Sequence, residues 1–217
     1  NEEAFKEFFE NVLKDYDAII HFDISSEMSS AYNNAVNAAK NFKNVYVIDS
    51  RTLSTGISLE AIYARKLTET ISSPEEIVEK VKKRIPKVQA SFIIERLDYL
   101  YKGGRCSGLA LLGANLLRIR PEIEVIDGNM KNTEKFRGKM TDCVTKYCRG
   151  TLEKYCHPDK SVIFVTHSCA EPEMVAAAKA VVAEYGFENV YETTAGCTVS
   201  SHCGKNTLGI LYINDAE

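Results

Sequence analysis

The chain has 217 residues, of which 45% are hydrophobic and 26% charged, and its formal net charge is −3. These values are typical of an ordinary globular protein, long enough for one large domain or two small ones. The slightly acidic balance argues against a nucleic-acid surface, which needs clustered Lys and Arg. No stretch approaches the ~18–20 apolar residues of a membrane-spanning helix. We therefore expect no nucleic-acid partner, no membrane span and at most transient membrane contact.

The N-terminal residues and the cysteines indicate a cytoplasmic protein. The chain begins with acidic residues at Asn1–Phe5 rather than with the basic and apolar regions of a signal peptide. Seven cysteines occur at irregular spacing, an odd number that favours reduced thiols over a disulfide framework. The chain also lacks an initiator methionine, so we expect a fragment of a longer protein.

The first 86 residues alternate between helix and strand patterns. Phe5, Phe8, Phe9 and Val12 have the spacing of one helix face. Ser73-Pro74 followed by Glu76 is a strong helix start. Such alternation implies parallel strands joined by crossover helices. In chain order we predict a helix over 4–15, a strand over 17–24, a helix ending near 42, a strand over 44–50, a helix over 58–70 and a helix from 74.

After Pro86 the pattern changes to a mixture of strands and helices. Asp127-Gly128-Asn129 is a hairpin signal, which indicates at least one antiparallel pair. We therefore predict an α/β fold with two domains: a parallel-sheet domain at 1–86 and an α+β domain with a mixed sheet at 87–217. The predicted elements of the second domain are strands over 90–95, 122–126, 133–137, 161–166, 189–194 and 208–213, a helical turn over 97–101, and helices over 107–117, 139–155 and 171–185.

The most informative stretch is the serine-rich turn between the first predicted strand and the next helix. It contains Ser25, Ser26, Ser29 and Ser30. The first N–H groups of a helix have no intrahelical partner and carry partial positive charge, so they bind anions. Serine hydroxyls add donors for a carboxylate or phosphate. The turn therefore predicts an anion pocket, with the alternative that Ser29 or Ser30 only caps its own helix.

Several motifs resemble the DegV family of bacterial fatty-acid-binding proteins. Ile24–Tyr32 is similar to that family's Ile-Ser-Ser-x-Leu-Ser-Gly-Thr-Tyr, and Leu97–Arg105 is similar to its Leu-x-Tyr-Leu-x-x-Gly-Gly-Arg. Fragments in the same order along the chain extend the resemblance over nearly its whole length. These fragments are Val47–Ser50, Leu117–Pro121, Lys135–Gly138 and Ser201–Gly204.

The chain departs from the family pattern at three places. Ser30 and Ala31 replace the Gly and Thr of the serine motif, and Gly204-Lys205-Asn206 stands where Gly-Pro-Gly is usual. The family's first strand, with its Thr-Ser-Gln-Pro motif, is not among these residues. The resemblance thus implies a chain truncated at its N-terminus, with an altered pocket rim.

The resemblance implies that a long-chain fatty acid is held between the two domains, with its carboxylate at the serine turn. It makes Ser29 the principal head-group ligand and Ser26 a second candidate. It further implies that the protein is not itself an enzyme but a carrier, which presents the acid to an ATP-dependent fatty-acid kinase for acyl-phosphate formation in phospholipid synthesis. No cofactor other than the bound acid is implied.

By the same resemblance, His202 and Arg105 are suited to offset the charge that develops on the head group. From the residues alone, the structural interpretation is favoured for both. His202 is then a loop histidine with satisfied hydrogen bonds, and Arg105 is a cap on the carbonyls after Gly103-Gly104, or a surface ion pair.

Three other readings compete with this assignment. Asp49 ends a strand as a ribose-binding acid does in nucleotide-binding oxidoreductases, but the Gly-x-Gly-x-x-Gly motif is absent. Cys197, His202 and Cys203 are close in sequence, but no cysteine spacing fits a zinc site, so no metal is expected. A DNA-binding regulator is disfavoured by the acidic balance.

Overall fold

The fold is a mixed α/β arrangement. A computed structural model of the protein describes residues 1–105 and 119–215, so the predicted helix over 107–117 lies outside the described residues. The chain forms two compact units: unit 1 is Asn1–Val88 with Asp127–Asn129, and unit 2 is Gln89–Ile126 with Met130–Glu217. The predicted fold class, a parallel α/β sheet followed by an α+β part with a mixed sheet, is confirmed.

Unit 1 contains a two-stranded parallel sheet with four α-helices and a short 3-10 helix at Ile85–Lys87. The strands pair in register from Ile19 opposite Val45 to Asp23 opposite Asp49, so both strands end at the same edge. The turns that follow the two strands therefore start side by side. The elements are α1 (Glu2–Val12), β1 (Ile19–Asp23), α2 (Ala31–Ala39), β2 (Val45–Asp49), α3 (Thr55–Leu67) and α4 (Pro74–Arg84).

The two faces of this sheet are covered by different helices. On one face, Phe9 of α1 is fully buried against Ala35 and Ala38 of α2, whose small side chains let the helices approach closely. On the other face, Ile48 of β2 packs with apolar residues of α3 and α4 such as Val81. Burial on both faces is typical of parallel sheets and explains the continuous apolar character of both strands.

Unit 2 is built on a six-stranded mixed sheet with the order β5-β4-β3-β8-β6-β7. β3 pairs with β4 antiparallel, β6 with β8 antiparallel, and β6 with β7 parallel. The strands are β3 (Val88–Ile93), β4 (Ile119–Ile126), β5 (Asn129–Arg137), β6 (Val162–Ser168), β7 (Asn189–Thr194) and β8 (Thr207–Ile213), and the helices are α5 (Asp98–Lys102), α6 (Met140–Lys154), α7 (Pro172–Ala183) and α8 (Cys197–Cys203).

The core of unit 2 joins α6 and α7 to this sheet. Tyr147 of α6 is fully buried, and its hydroxyl hydrogen-bonds to Ser91 Oγ of β3 at 2.8 Å and accepts from the Ile210 N–H of β8 at 3.0 Å. A buried hydroxyl needs such partners, because losing them costs ~1–3 kcal/mol. These bonds fix α6 over the centre of the sheet.

Two details differ from the sequence expectations. α8 was not expected, because Cys197–Cys203 is rich in serine, threonine and other weak helix formers. The strands flanking the hairpin, expected over 122–126 and 133–137, are longer and run over Ile119–Ile126 and Asn129–Arg137. In β5 most side chains are exposed, so the apolar pattern that marks a strand is weak there. In the described parts of the chain, no helix has the length and apolar character needed to cross a membrane.

Candidate functional site in the serine turn

The serine turn, residues 24–30, connects the end of β1 to the start of α2. Its backbone is held by the turn that follows β2, because the Ser25 N–H donates to the Thr52 carbonyl at 2.9 Å. Within the turn, the Ser29 N–H donates to the Ser25 carbonyl at 3.2 Å. In sheets of parallel strands, ligands bind at the carboxyl ends of the strands, which is where this turn lies.

Ser25 has a structural role in the turn. Its side chain is fully buried, and its hydroxyl donates to the Gly128 carbonyl at 2.7 Å. Gly128 has φ +79°, and a Cβ there would overlap Ser25 Oγ, at 2.6 Å. Ser25 Oγ also accepts from the Glu27 N–H at 3.3 Å. The Ser25 hydroxyl is therefore committed within unit 1 and has no proton to offer a ligand.

Ser26 is held by the carboxylate of Asp49, the last residue of β2. Its backbone N–H donates to Asp49 Oδ1 at 3.1 Å, and its hydroxyl donates to Asp49 Oδ2 at 2.5 Å. A serine hydroxyl carries one proton. In the structure, Ser26 directs that proton to Asp49.

Ser29 caps α2, as the alternative sequence interpretation expected of Ser29 or Ser30. Ser29 Oγ accepts from the Ala31 N–H at 3.1 Å, whereas Ser30 makes no capping bond with its side chain. Capping uses a lone pair of the hydroxyl oxygen and leaves its proton available. Ser29 is half-buried, so it can cap the helix and still donate to an anion.

Arg51 is the cation beside the serine turn in unit 1. Its Nη1 lies 3.3 Å from Glu27 Oε1 and 3.8 Å from Asp49 Oδ2, and its Nη2 donates to the Asp127 carbonyl. Its backbone N–H donates to Asp49 Oδ1 at 3.0 Å. Arg51 therefore partly balances the negative charge of Asp49.

A second carboxyl group, Glu60 of α3, lies near Asp49. Glu60 is only 2% exposed, and neither of its oxygens has a hydrogen-bond partner among residues 1–105 and 119–215. Burial, together with a smaller effect of the negative charge of Asp49, raises the pKa of Glu60 to about 9. Glu60 is therefore neutral at pH 7. Asp49, in contrast, accepts three hydrogen bonds.

Arg105 and His202 lie in unit 2, where both contact Gly103. Arg105 Nη1 donates to the Gly103 carbonyl at 2.6 Å, which is the carbonyl cap considered from the sequence. The imidazole of His202, in α8, occupies the space beside Gly103, so that a Cβ added there would overlap its Nδ1. Gly103 thus brings Arg105 and His202 together in unit 2. In unit 1, Ser26 and Ser29 lie in one turn, where Ser26 bonds to Asp49 and Ser29 bonds to the start of α2.

The end of α8 is fixed by a second glycine. Gly204 has φ +79°, and a Cβ there would overlap the ring of Tyr99 in α5. A glycine with positive φ is the usual way to end a helix. The glycines at 103 and 204 therefore let α5 and α8 approach closely and hold His202 in place.

The sequence reasoning gave no site role to Glu60 and considered Asp49 only as a ribose-binding acid. The structure instead bonds Asp49 to Ser26 and Arg51. An acidic residue directly after an apolar strand was the available signal for Asp49. For residues 1–105 and 119–215, no group of three or more His, Cys, Asp or Glu side chains is arranged to hold a metal ion, and the described cysteines are free thiols.

The Gly103→Ala substitution tests the position of His202. Because Gly103 has an ordinary φ of −74°, the cost arises from overlap with the imidazole, and we expect a loss of ~1–3 kcal/mol in unfolding free energy. Gly150→Ala is the matched control: Gly150 lies in α6 with open space around it, so alanine should stabilise by ~0.5–1 kcal/mol. Urea unfolding measures both, and equal effects would contradict the close contact.

The neutral state of Glu60 predicts a pH dependence of stability. Because the folded-state pKa of about 9 lies above the ordinary value of 4.5, the native state binds more protons than the unfolded chain between these values. The wild type should therefore lose stability relative to Glu60→Gln as pH rises through this window, by up to ~1.4 kcal/mol per pH unit. Glu69→Gln, at an exposed position, should show no such trend. Parallel pH profiles for wild type and Glu60→Gln in urea unfolding would contradict the assignment.

Comparison with known proteins gives the family. The chain is 30% identical over 217 residues to a DegV domain-containing protein of Clostridium acetobutylicum, covering 96% of this chain and 74% of the relative. It is 29% identical over 211 residues to a protein of Thermotoga maritima named fatty acid-binding protein, covering 94% of this chain and 72% of that one.

A solved structure and a family model agree with these relatives. The structure is of a Thermotoga maritima protein said to reveal fatty acid binding function; it matches with a TM-score of 0.83 at 28% identity and covers 99% of this chain and 76% of that one. The family model described as "Uncharacterised protein, DegV family" matches residues 1–215. The motifs, the fold and these matches lead to one conclusion: the chain belongs to the DegV family.

Proposed function

We propose that this protein binds a long-chain fatty acid and holds the carboxylate at the serine turn. The observation that carries the proposal is the geometry of Ser29, whose hydroxyl accepts from the Ala31 N–H and so keeps its proton for an anion at the start of α2. The names of the Thermotoga maritima relative and of the solved structure, both of which refer to fatty acid binding, support the ligand class.

The start of α2 supplies further donors for the carboxylate. The Ala31 N–H is bonded to Ser29 Oγ, and the Asn34 N–H donates to the Ser30 carbonyl at 3.0 Å. The N–H groups of Tyr32 and Asn33 come between these two, at a helix start where no intrahelical carbonyl is available. Together with the Ser29 hydroxyl and the helix dipole, they can satisfy an ionised carboxylate, which cannot be buried unpaired.

The hydrocarbon tail supplies most of the affinity in this proposal. A sixteen-carbon acid has about 14 methylenes, and burying them at ~0.8 kcal/mol each gives up to ~11 kcal/mol. Losses of translational, rotational and side-chain freedom, ~4–15 kcal/mol, offset much of this gain. The head-group contacts then determine orientation and the choice of a carboxylate over a neutral head group.

We further propose that the bound acid is presented to a separate ATP-dependent kinase, as the family resemblance implies. A carboxylate oxygen would attack the γ-phosphorus of ATP, and the bond from that phosphorus to the ADP oxygen would break, giving an acyl phosphate. The sequence contains no Gly-x-x-x-x-Gly-Lys-Ser/Thr phosphate loop of its own. His202 and Arg105 are the proposed groups that offset charge on the head group during this transfer.

The Ser29→Ala substitution tests the binding proposal. We expect the wild type to co-purify with an acid of about 14–18 carbons, and Ser29→Ala to bind hexadecanoate about tenfold more weakly, the effect of one hydrogen bond to a charged group. Ser30→Ala is the matched control, because Ser30 is adjacent, exposed and makes no capping bond. Native mass spectrometry identifies the lipid, and calorimetric titration gives the affinities.

A wild type that neither co-purifies with a fatty acid nor binds added hexadecanoate would contradict the binding proposal. Equal affinities of the Ser29→Ala and Ser30→Ala variants would contradict the role of Ser29 alone.

The kinase role is tested with a purified fatty-acid kinase, ATP and hexadecanoate, with the acyl phosphate trapped by hydroxylamine as a hydroxamate. We expect product with the wild-type carrier, and at least a tenfold lower rate with His202→Gln at unchanged hexadecanoate affinity, because the lost group acts on developing charge. His157→Gln, an exposed histidine elsewhere in unit 2, is the control. No product with the wild-type carrier would contradict the proposed partner.

A further inference from the structure

We propose that Asp49 is a positioning residue for the head-group site: its carboxylate fixes the serine turn so that Ser29, and not Ser26, donates to the ligand. The inference rests on the proposed function and assigns different roles to the two serines that the sequence placed together. It also gives a role to a partly buried acidic residue beside the proposed site for an anion, where a negative charge by itself would be unfavourable.

The hydrogen bonds of Asp49 all go to the two turns at the ends of the strands. Oδ1 accepts from the backbone N–H groups of Ser26 and Arg51, at 3.1 and 3.0 Å, and Oδ2 accepts from the Ser26 hydroxyl at 2.5 Å. Ser26 belongs to the turn after β1, and Arg51 to the turn after β2. One carboxylate thus joins both turns.

Backbone bonds alone would hold the turns less completely. The Ser25 N–H donates to the Thr52 carbonyl at 2.9 Å, and the Ser50 N–H donates to the Asp23 carbonyl at 3.2 Å. Neither bond contacts Ser26, which stands between Ser25 and the start of α2. Farther along the turn, the Met28 and Ser29 N–H groups donate to the Ser25 carbonyl, at 2.9 and 3.2 Å. Asp49 therefore adds the bonds that hold Ser26, between Ser25 and this part of the turn.

The hydroxyl groups of Ser26 and Ser29 differ in where their protons are directed. The Ser26 hydroxyl donates its proton to the Asp49 carboxylate, a charge-assisted bond. If that proton turned to a second anion, Asp49 Oδ2 would lose its hydroxyl donor. The Ser29 oxygen accepts from a backbone N–H and keeps its proton. Ser29 is therefore the donor to the ligand, and Ser26 acts through the shape of the turn.

The direction in which Asp49→Asn changes fatty-acid affinity distinguishes a positioning role from an effect of charge. Asp49 lies beside the site proposed for an anion, so if it acted only through its charge, Asp49→Asn would strengthen fatty-acid binding. The groups around it do not change this sign: Arg51 remains cationic, and Glu60 is neutral and buried. A positioning role predicts the opposite result. If the Asn oxygen keeps the two backbone N–H groups, the charge-assisted bond from the Ser26 hydroxyl is replaced by a neutral one; if the amide turns, its NH2 faces those N–H groups.

The experiment titrates the wild-type chain and its variants with hexadecanoate and with hexadecanol, a ligand of the same length without a carboxylate. We expect Asp49→Asn to weaken hexadecanoate binding about tenfold and to change hexadecanol binding less than about twofold, as for a lost charge-assisted orientation. Asp23→Asn is the matched control, because Asp23 is the register partner of Asp49 at the same sheet edge. Its Oδ1 accepts from the adjacent Ile24 N–H and its Oδ2 lies 3.4 Å from His21 Nε2, so neither of these contacts involves the serine turn beyond Ile24.

Variants of Ser26 provide a second test that leaves Asp49 in place. Ser26→Ala should reproduce part of the selective loss of hexadecanoate affinity, and Ser26→Thr, which keeps the hydroxyl, should restore it. These variants also decide the matter if Asp49→Asn does not fold.

Three results would overturn the inference. Tighter or unchanged hexadecanoate binding by Asp49→Asn would show that Asp49 acts through its charge or not at all. Equal weakening of both ligands would show general destabilisation rather than positioning of the head-group site. A loss in Ser26→Ala as large as in Ser29→Ala would make Ser26 a direct ligand. A wild type that binds neither ligand fails the proposed function itself.

Discussion

The parallel pairing of β1 and β2 is the constraint on which the proposed head-group site depends. Their register places Asp23 opposite Asp49, so both strands end together and the two following turns begin side by side. Only this alignment lets the Asp49 carboxylate reach the Ser26 backbone and hydroxyl in the neighbouring turn. A shift of one residue would turn every side chain of a strand to the other face and remove these bonds.

Two carboxyl groups, those of Asp49 and Glu60, lie near the serine turn. Asp49 is ionised and bonded, and Glu60 is buried, neutral and without a hydrogen-bond partner in the described structure. Keeping Glu60 neutral avoids a second negative charge near a site for an anion. Because this buried carboxyl must lose its proton at high pH, the unfolding free energy decreases as pH rises. While it is neutral, the serine turn has less negative charge near it.

The sequence was sufficient for the fold class and for the serine turn, because these depend on local patterns. Apolar strands, the Ser73-Pro74 helix start and the hairpin residues Asp127–Asn129 each have a local physical cause. The sequence was not sufficient for contacts between distant residues. The Ser26–Asp49 bond spans 23 positions, and the packing of His202 against Gly103 depends on α8, whose residues are weak helix formers.

The central claim is that the Ser29 hydroxyl, held by the Asp49-bonded turn, donates to the carboxylate of a long-chain fatty acid. The most direct measurement is a crystal structure of the protein with bound hexadecanoate. The account predicts a carboxylate oxygen at about 2.5–3.0 Å from Ser29 Oγ, with the Ser26 hydroxyl still on Asp49. A carboxylate bound away from Ser29, or bound to Ser26 with its Asp49 bond broken, would contradict it.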